Sequence, residues 1–188
     1  MLQVASARWA ISDIGPGPEQ LESFASGREL IDDGVEARVG GLAAGNLRAE
    51  IFPGIGGSLG GFWSETADGP IDWMRRAGAN EIAAGDARGM ACYPLVPFSN
   101  RIRDGRFSFE GHDIELPLNF LPHSHVIHGH GWQAPWQVAE ASETMADLEY
   151  RHEAGAWPWP YRAEQRYHLS DEALTLAISL PTLGDTAM

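Results

Sequence analysis

Four of the seven histidines of the chain lie in one short segment, LPHSHVIHGHGW, residues 121–132. They are His123, His125, His128 and His130. Imidazoles this close together could bind a metal ion, transfer protons, or line a polar loop. In an extended segment residues two apart share a face, so the first two histidines would share one side and the last two the other. The spacing alone leaves all three interpretations open.

A metal site on His123 and His125 is one alternative, because His-x-His on a β-barrel is a recurring metal-binding pattern. The cupin form of that pattern has a glutamate soon after the second histidine. Here the next glutamate is Glu140, with no aspartate in between. Several imidazoles without a carboxylate could still bind Zn²⁺. The missing carboxylate favours ordinary loop residues at His123, His125 and His130, and we expect no bound metal.

The segments around the histidines predict β-hairpins. RFSFEGHDIELPL, residues 106–118, alternates apolar and polar residues about a turn at Gly111. Residues 136–153 and 161–180 repeat this pattern, and LRAEIFP and SLGGFWSE predict two further strands. Many short strands joined by Gly, Pro and Asp turns predict an all-β fold, an antiparallel β-sandwich.

We expect two parts in the chain. Residues 1–35 carry little pattern and form an N-terminal appendage, with a short amphipathic helix over Pro18 to Leu30. Residues 36–188 form the sandwich domain. The final segment, PTLGDTAM, follows a strand and contains nothing to cap a sheet. It therefore predicts a sandwich that is truncated on its C-terminal side.

Composition and charge narrow the function classes. A chain of 188 residues with 44% hydrophobic residues can bury a core without disulfides. Its formal net charge of −13 argues against nucleic acid and anionic membranes as partners, but leaves a neutral ligand such as a sugar open. Cys92 is the single cysteine, and the N-terminus lacks the pattern of a signal peptide, so we expect a cytoplasmic protein.

A second set of motifs separates His128 from its neighbours. SNRIRDGRFSFEG at residues 99–111 is followed by IHGHGW at 127–132, with EIFPGIGGSLGGFW before them and WPWPYRAEQRYHLSDEALTLAISL after them. Taken in this order, the motifs resemble the aldose 1-epimerase (galactose mutarotase) family over roughly residues 35–188. The resemblance implies a β-sandwich of the galactose-mutarotase type.

The resemblance also implies a reaction, the interconversion of the α and β anomers of a free hexose such as glucose or galactose. A base takes the C1 hydroxyl proton while an acid protonates the ring oxygen, with no cofactor or metal. His128 corresponds to the first of two active-site histidines, near C1 and the ring oxygen, and would be catalytic. Arg101 would bind sugar hydroxyls, with Asn100 as a second polar contact.

Part of the family pattern has no counterpart in this sequence. The second histidine, a substrate-binding aspartate and the glutamate base of the family are missing, so we expect little activity from this chain alone. Two other functions stay open: a non-catalytic module that binds a sugar or a sugar phosphate, with Arg103 and Arg106 as candidates, and the cupin-like metalloprotein. Exposed sheet edges would also favour self-association.

Overall fold

The computed structural model describes residues 3–10, 29–30 and 36–181. Its strands, in chain order, are β1 (Gln3–Ala10), β2 (Glu29–Leu30), β3 (Glu36–Ala44), β4 (Leu47–Phe52), β5 (Ser58–Ser64), β6 (Ile71–Met74), β7 (Arg101–Ile102), β8 (Arg106–Phe109), β9 (His112–Glu115), β10 (Val126–Ile127), β11 (Gln137–Ala141), β12 (Met145–His152), β13 (Tyr161–Leu169) and β14 (Ala173–Leu180). This part of the chain also contains a short helix, α1 (Ala79–Ala83), and three 3-10 turns, Ala87–Gly89, Arg103–Gly105 and Gly131–Gln133.

Two five-stranded antiparallel sheets form the layers of a sandwich. One has the strand order β2-β3-β4-β5-β6 and the other β1-β14-β13-β12-β11. Two small ribbons, β7–β10 and β8–β9, lie outside these sheets in the hydrogen-bonding pattern. The hairpins predicted from alternating residues are present as β8–β9, β11–β12 and β13–β14. The predicted all-β antiparallel sandwich is confirmed.

The core lies between the two sheets. On β13 every second residue is buried, from Tyr161 to Leu169, because alternate side chains of a strand point to one face. The opposite sheet contributes Leu42, Ala49 and Phe62, which are fully buried. A polar contact also crosses this core, since the Tyr167 hydroxyl donates to the Gly57 carbonyl at 2.8 Å. That bond offsets the cost of burying a phenol among apolar side chains.

Trp136 connects the core with the loops that follow β10. Its side chain is fully buried, and its indole N–H donates to the Gly131 carbonyl at 2.9 Å. Its main-chain N–H donates to the Pro53 carbonyl at 2.9 Å. A Cβ on Gly57, which has φ +63°, would lie 2.9 Å from the indole ring, so this position needs glycine. Trp132 is also buried.

Parts of the predicted appendage, residues 1–35, pair with the sandwich strands. β1 pairs with β14 from Gln3↔Leu180 to Ala10↔Ala173, and β2 pairs with β3. The helix predicted over residues 18–30 lies outside the described residues except for its last two, which form β2. Among the residues that are described, no helix is long and apolar enough to cross a membrane.

Candidate active site

The ribbon formed by β7 and β10 brings the predicted site residues together. Arg101 pairs with Ile127 in this ribbon, which places the residue before β7 beside the residue after β10. Those two residues are Asn100 and His128. The His128 main-chain N–H donates to the Asn100 carbonyl at 2.9 Å. The Asn100 main-chain N–H donates in return to Nδ1 of His128 at 3.1 Å. Residues 28 positions apart thus form one compact unit.

The second of these bonds fixes the protonation of the imidazole. A main-chain N–H can only donate, so Nδ1 of His128 must carry a lone pair. In the neutral ring the proton is then on Nε2, which has no hydrogen-bond partner among the described residues. His128 therefore offers a free N–H donor at Nε2.

The surroundings of His128 favour this neutral form. Its pKa is lowered from the ordinary value of 6.5, first because partial burial disfavours the imidazolium and second because the Arg101 guanidinium is positive. The Tyr93 ring lies edge-on to the imidazole, with 6.5 Å between ring centroids. The lowered pKa and the Asn100 N–H at Nδ1 both favour a neutral imidazole that donates through Nε2.

Arg101 differs from most arginines in the described part of the chain. Arg88, Arg106 and Arg166 each pair with a carboxylate. Arg101 is exposed, and within the described residues its guanidinium has no hydrogen bond or ion pair. Its fork of donors is therefore available to ligand oxygens. Asn100 contributes to the site through its main chain, since its side-chain amide has no hydrogen bond within the described residues.

The backbone of the site is unusual at two places. Asn100 and His128 have φ values of +64° and +57°, in the left-handed region that non-glycine residues rarely adopt. Gly129 follows with φ +66°, and a Cβ there would lie 2.0 Å from the Val96 carbonyl oxygen. That oxygen accepts the main-chain N–H groups of His130 and Gly131, both at 3.1 Å. Backbone of this kind is concentrated at functional sites.

His130 is not the solvated loop residue that the sequence predicted. It is partly buried, and its Nε2 is 2.9 Å from the Tyr161 hydroxyl. Its ring centroid lies 4.2 Å from that of His152, whose Nε2–H donates to the Trp157 carbonyl at 2.9 Å. Burial, and next the proximity of His152, lower the pKa of His130 to about 4. This pair lines a cavity of about 650 Å³ together with Phe98, Val126 and Trp157.

His123 and His125 make separate contacts. The His123 ring stacks on Phe120 with centroids 4.7 Å apart, and both residues are near the surface. Nδ1 of His125 accepts the Asp104 main-chain N–H at 3.2 Å, and the Asp104 carboxylate is 3.7 Å away. Within the ranges that the structure describes, no three His, Cys, Asp or Glu side chains could hold a metal ion together. The arrangement gives the metal alternative no support.

The described residues supply only some of the groups that acid–base chemistry needs. No carboxylate in this part of the chain hydrogen-bonds or ion-pairs with His128 or Arg101. Sequence reasoning also missed one contributor, Asn119, whose side-chain amide bonds to the main chain of residues 127 and 129. The only signal for it is an asparagine among apolar residues, in PLNF, after a predicted hairpin.

The fold and the site together define a β-sandwich protein of the galactose-mutarotase type. The chain belongs to the aldose 1-epimerase family, whose sequence model matches residues 42–188. This match confirms the resemblance that the motifs around Arg101 and His128 indicated.

Individual relatives agree with this assignment. The Escherichia coli K12 protein YphB, itself uncharacterized, is 34% identical over 143 residues, covering 76% of this chain and 46% of YphB. A crystal structure from Escherichia coli K12, assigned provisionally as an aldose 1-epimerase, superposes with a TM-score of 0.65 at 33% identity, over 77% of this chain and 46% of that one. A galactose mutarotase related enzyme from Lactobacillus acidophilus has a TM-score of 0.61 at 14% identity, over 79% and 44%, and shows the shared fold alone. The chain thus spans about half the length of the relatives that it matches.

Proposed function

We propose that this chain provides part of an active site that interconverts the α and β anomers of a free hexose, of the glucose or galactose kind. The observation that carries the proposal is the juxtaposition of Arg101 with a neutral His128. Within the described residues the Arg101 guanidinium makes no ion pair, and the His128 imidazole has an N–H donor at Nε2. Family membership supports the same reaction, because one solved relative is assigned provisionally as an aldose 1-epimerase and another is described as a galactose mutarotase related enzyme.

The two side chains suit different parts of a pyranose. The planar guanidinium of Arg101 can donate to two neighbouring hydroxyl oxygens at once. The Nε2–H of His128 can donate to the ring oxygen, where negative charge develops as the C1–O bond breaks. Since His128 is neutral, it stabilises this charge as a hydrogen-bond donor, and the transferred protons need other groups. Removal of the C1 hydroxyl proton needs a base, and the described residues place no carboxylate beside His128.

Hexose binding tests the proposal without requiring turnover. In saturation-transfer difference NMR we expect a signal from D-glucose or D-galactose that levels off as the sugar concentration rises. We expect Arg101→Gln to bind the sugar more weakly. Arg101 is exposed and unpaired within the described residues, so Arg101→Gln should change the free energy of unfolding by less than about 0.5 kcal/mol. Arg166→Gln is the matched control, because Arg166 pairs with Asp147 on the outer face of β13. Equal hexose binding by both variants and the unchanged chain would refute the proposal.

Polarimetry of freshly dissolved α-D-glucose addresses turnover itself. Because the described site lacks a base, we expect the chain to raise the rate of mutarotation little above that of buffer. A rate well above buffer would show that the chain supplies its own base and acid.

A sugar-phosphate ligand is the second candidate, and Arg103 favours it. Arg103 is exposed and has no ion pair within the described residues, whereas Arg106 is held by Glu115 at 2.8 Å. An unpaired arginine two residues from Arg101 could bind a phosphate at the far end of a sugar. Tighter binding of glucose 6-phosphate than of glucose, with the difference lost in Arg103→Gln, would favour this function over the free hexose.

A further inference from the structure

The side chain of Asn119 contacts the main chain on both sides of His128. Its Oδ1 accepts the Ile127 N–H at 2.9 Å. Its Nδ2 donates to the Ile127 carbonyl at 2.8 Å and to the Gly129 carbonyl at 2.7 Å. A primary amide has one carbonyl acceptor and two N–H donors, so every polar group of the side chain is used. The residue between the two bonded positions is His128.

This stretch of backbone has a short strand, and the other bonds to it come from Asn100, Val96 and the Trp132 indole, whose N–H donates to the Gly129 carbonyl at 3.2 Å. β10 is two residues long, and within the described residues it pairs with β7. It leads directly into two left-handed residues, His128 and Gly129. Ile127 and Gly129 are buried, so their carbonyl groups need partners inside the protein. The Nδ2 of Asn119 donates to both carbonyls and thereby fixes the direction of the main chain in the turn.

The position of the His128 ring follows from that turn. The bond from the Asn100 N–H to Nδ1 requires the imidazole to lie over the start of β7. A change of main-chain direction at residue 128 would swing the ring away, because the ring is attached to the residue that turns. Asn119 is itself anchored, since its main-chain carbonyl accepts Nε2–H of Gln133 at 3.0 Å.

We propose that Asn119 is a positioning residue for His128. It holds the left-handed turn at residues 128–129, so that Nδ1 stays bonded to Asn100 and the proton stays on Nε2. Its effect on sugar chemistry rests on the proposed function. Its effect on the tautomer of His128 does not.

Aspartate has nearly the same size as asparagine, so substitutions at Asn119 can separate the effect of shape from that of hydrogen bonding. Asn119→Asp keeps the shape and the acceptor for the Ile127 N–H, but it loses both donors and turns a carboxylate towards two carbonyl oxygens. Asn119→Ala removes all three bonds. Asn46→Asp is the matched control, because Asn46 also donates to a main-chain carbonyl, that of Glu65, and the variant adds the same charge.

The primary measurement is the ¹⁵N NMR spectrum of the His128 imidazole in the full chain at pH 7.5. We expect the unchanged chain and Asn46→Asp to show one tautomer, protonated at Nε2. We expect Asn119→Asp and Asn119→Ala to show a mixture of tautomers, with near-UV circular dichroism unchanged. A single Nε2–H tautomer in both Asn119 variants would overturn the proposal. Loss of the near-UV signal in Asn119→Asp would also overturn it, because the residue would then support the fold as a whole.

A second measurement connects the positioning to hexose binding. Asn119→Asp should weaken D-glucose binding about tenfold, as expected when one charged or well-oriented hydrogen bond is lost. In a His128→Gln background the same substitution should have no further effect, because the donor that it positions is already absent. Additive losses would contradict positioning through His128. If the unchanged chain binds no hexose, the proposed function fails, and the tautomer measurement still decides the role of Asn119.

Discussion

The sandwich core and the site loops, residues 93–133, are stabilised in different ways. In the core, large side chains from both sheets are fully buried, among them Phe62, Trp136 and Tyr167. In the site loops, β7 and β10 pair over two residues, and single hydrogen bonds hold left-handed residues in place. Apolar burial is spread over many contacts and is non-directional, whereas the site depends on a few directional bonds. Substitutions in the core should therefore act through lost apolar burial, and substitutions in the site loops through lost directional bonds and backbone strain.

Trp136→Ala should have the largest effect. The indole is fully buried between the sheets and also bonds to Gly131, so its removal leaves a cavity and loses that hydrogen bond. We expect a loss of about 3–5 kcal/mol in the free energy of unfolding, measured by urea denaturation. Trp73→Ala, at an exposed tryptophan on β6, should cost less than about 1 kcal/mol. Similar losses in the two variants would contradict the role given to the core.

Gly129→Ala should come next and should act on the site loops. A Cβ would lie 2.0 Å from the Val96 carbonyl oxygen at a residue with φ +66°, so the turn must shift. We expect a cost of about 2–4 kcal/mol in urea denaturation and loss of the His128 tautomer described above. Gly85→Ala is the control, since Gly85 has φ +63° with open space around it and should cost about 1 kcal/mol. Equal costs would show that backbone conformation alone, without the contact to Val96, accounts for the effect.

The pH dependence of stability should show a smaller effect through His130. Its folded pKa of about 4 lies below the ordinary 6.5, so the unfolded chain binds the proton more readily. The neutral ring therefore contributes its full stability above about pH 6.5, and the contribution is lost as the pH falls towards 4. The groups facing this ring are His152 and Tyr150 on β12 and Tyr161 on β13.

Urea denaturation at pH 7.5 and at pH 4.5 measures this contribution. Because His130 is partly exposed, we expect on the order of 2 kcal/mol to be lost on acidification. His130→Gln should lose less over the same interval, since glutamine does not titrate. An identical loss in the variant would assign the acid sensitivity to other groups.

The fold was predictable because its signals are local. Alternation along residues 161–180 marks which side chains of β13 and β14 face the core, and the Gly111 turn marks the β8–β9 hairpin. Each of these predictions used residues that are close together in the sequence, within one strand or within a strand and its turn. The pairing of β1 with β14 was not predictable in this way, because it joins residues about 170 positions apart in register.

The site was predictable only where a motif names its residues. Asn100, Arg101 and His128 were selected by sequence context, and the structure places them together. The tautomer of His128 could not be read from sequence, because it depends on a main-chain N–H 28 residues away. The same holds for His130, whose burial against His152 and Tyr161 depends on how the site loops meet β12 and β13.

The exposure of Arg101 and Arg103 beside the β7–β10 ribbon has a consequence for how this protein can change over generations. Within the described residues neither side chain makes an ion pair, so replacing either one should cost the fold little. Loop substitutions that alter ligand preference can then accumulate while the sheets keep their structure. The buried residues of the site loops belong to the fold, and the exposed positions beside the ribbon are where new specificity can arise at the least risk to folding.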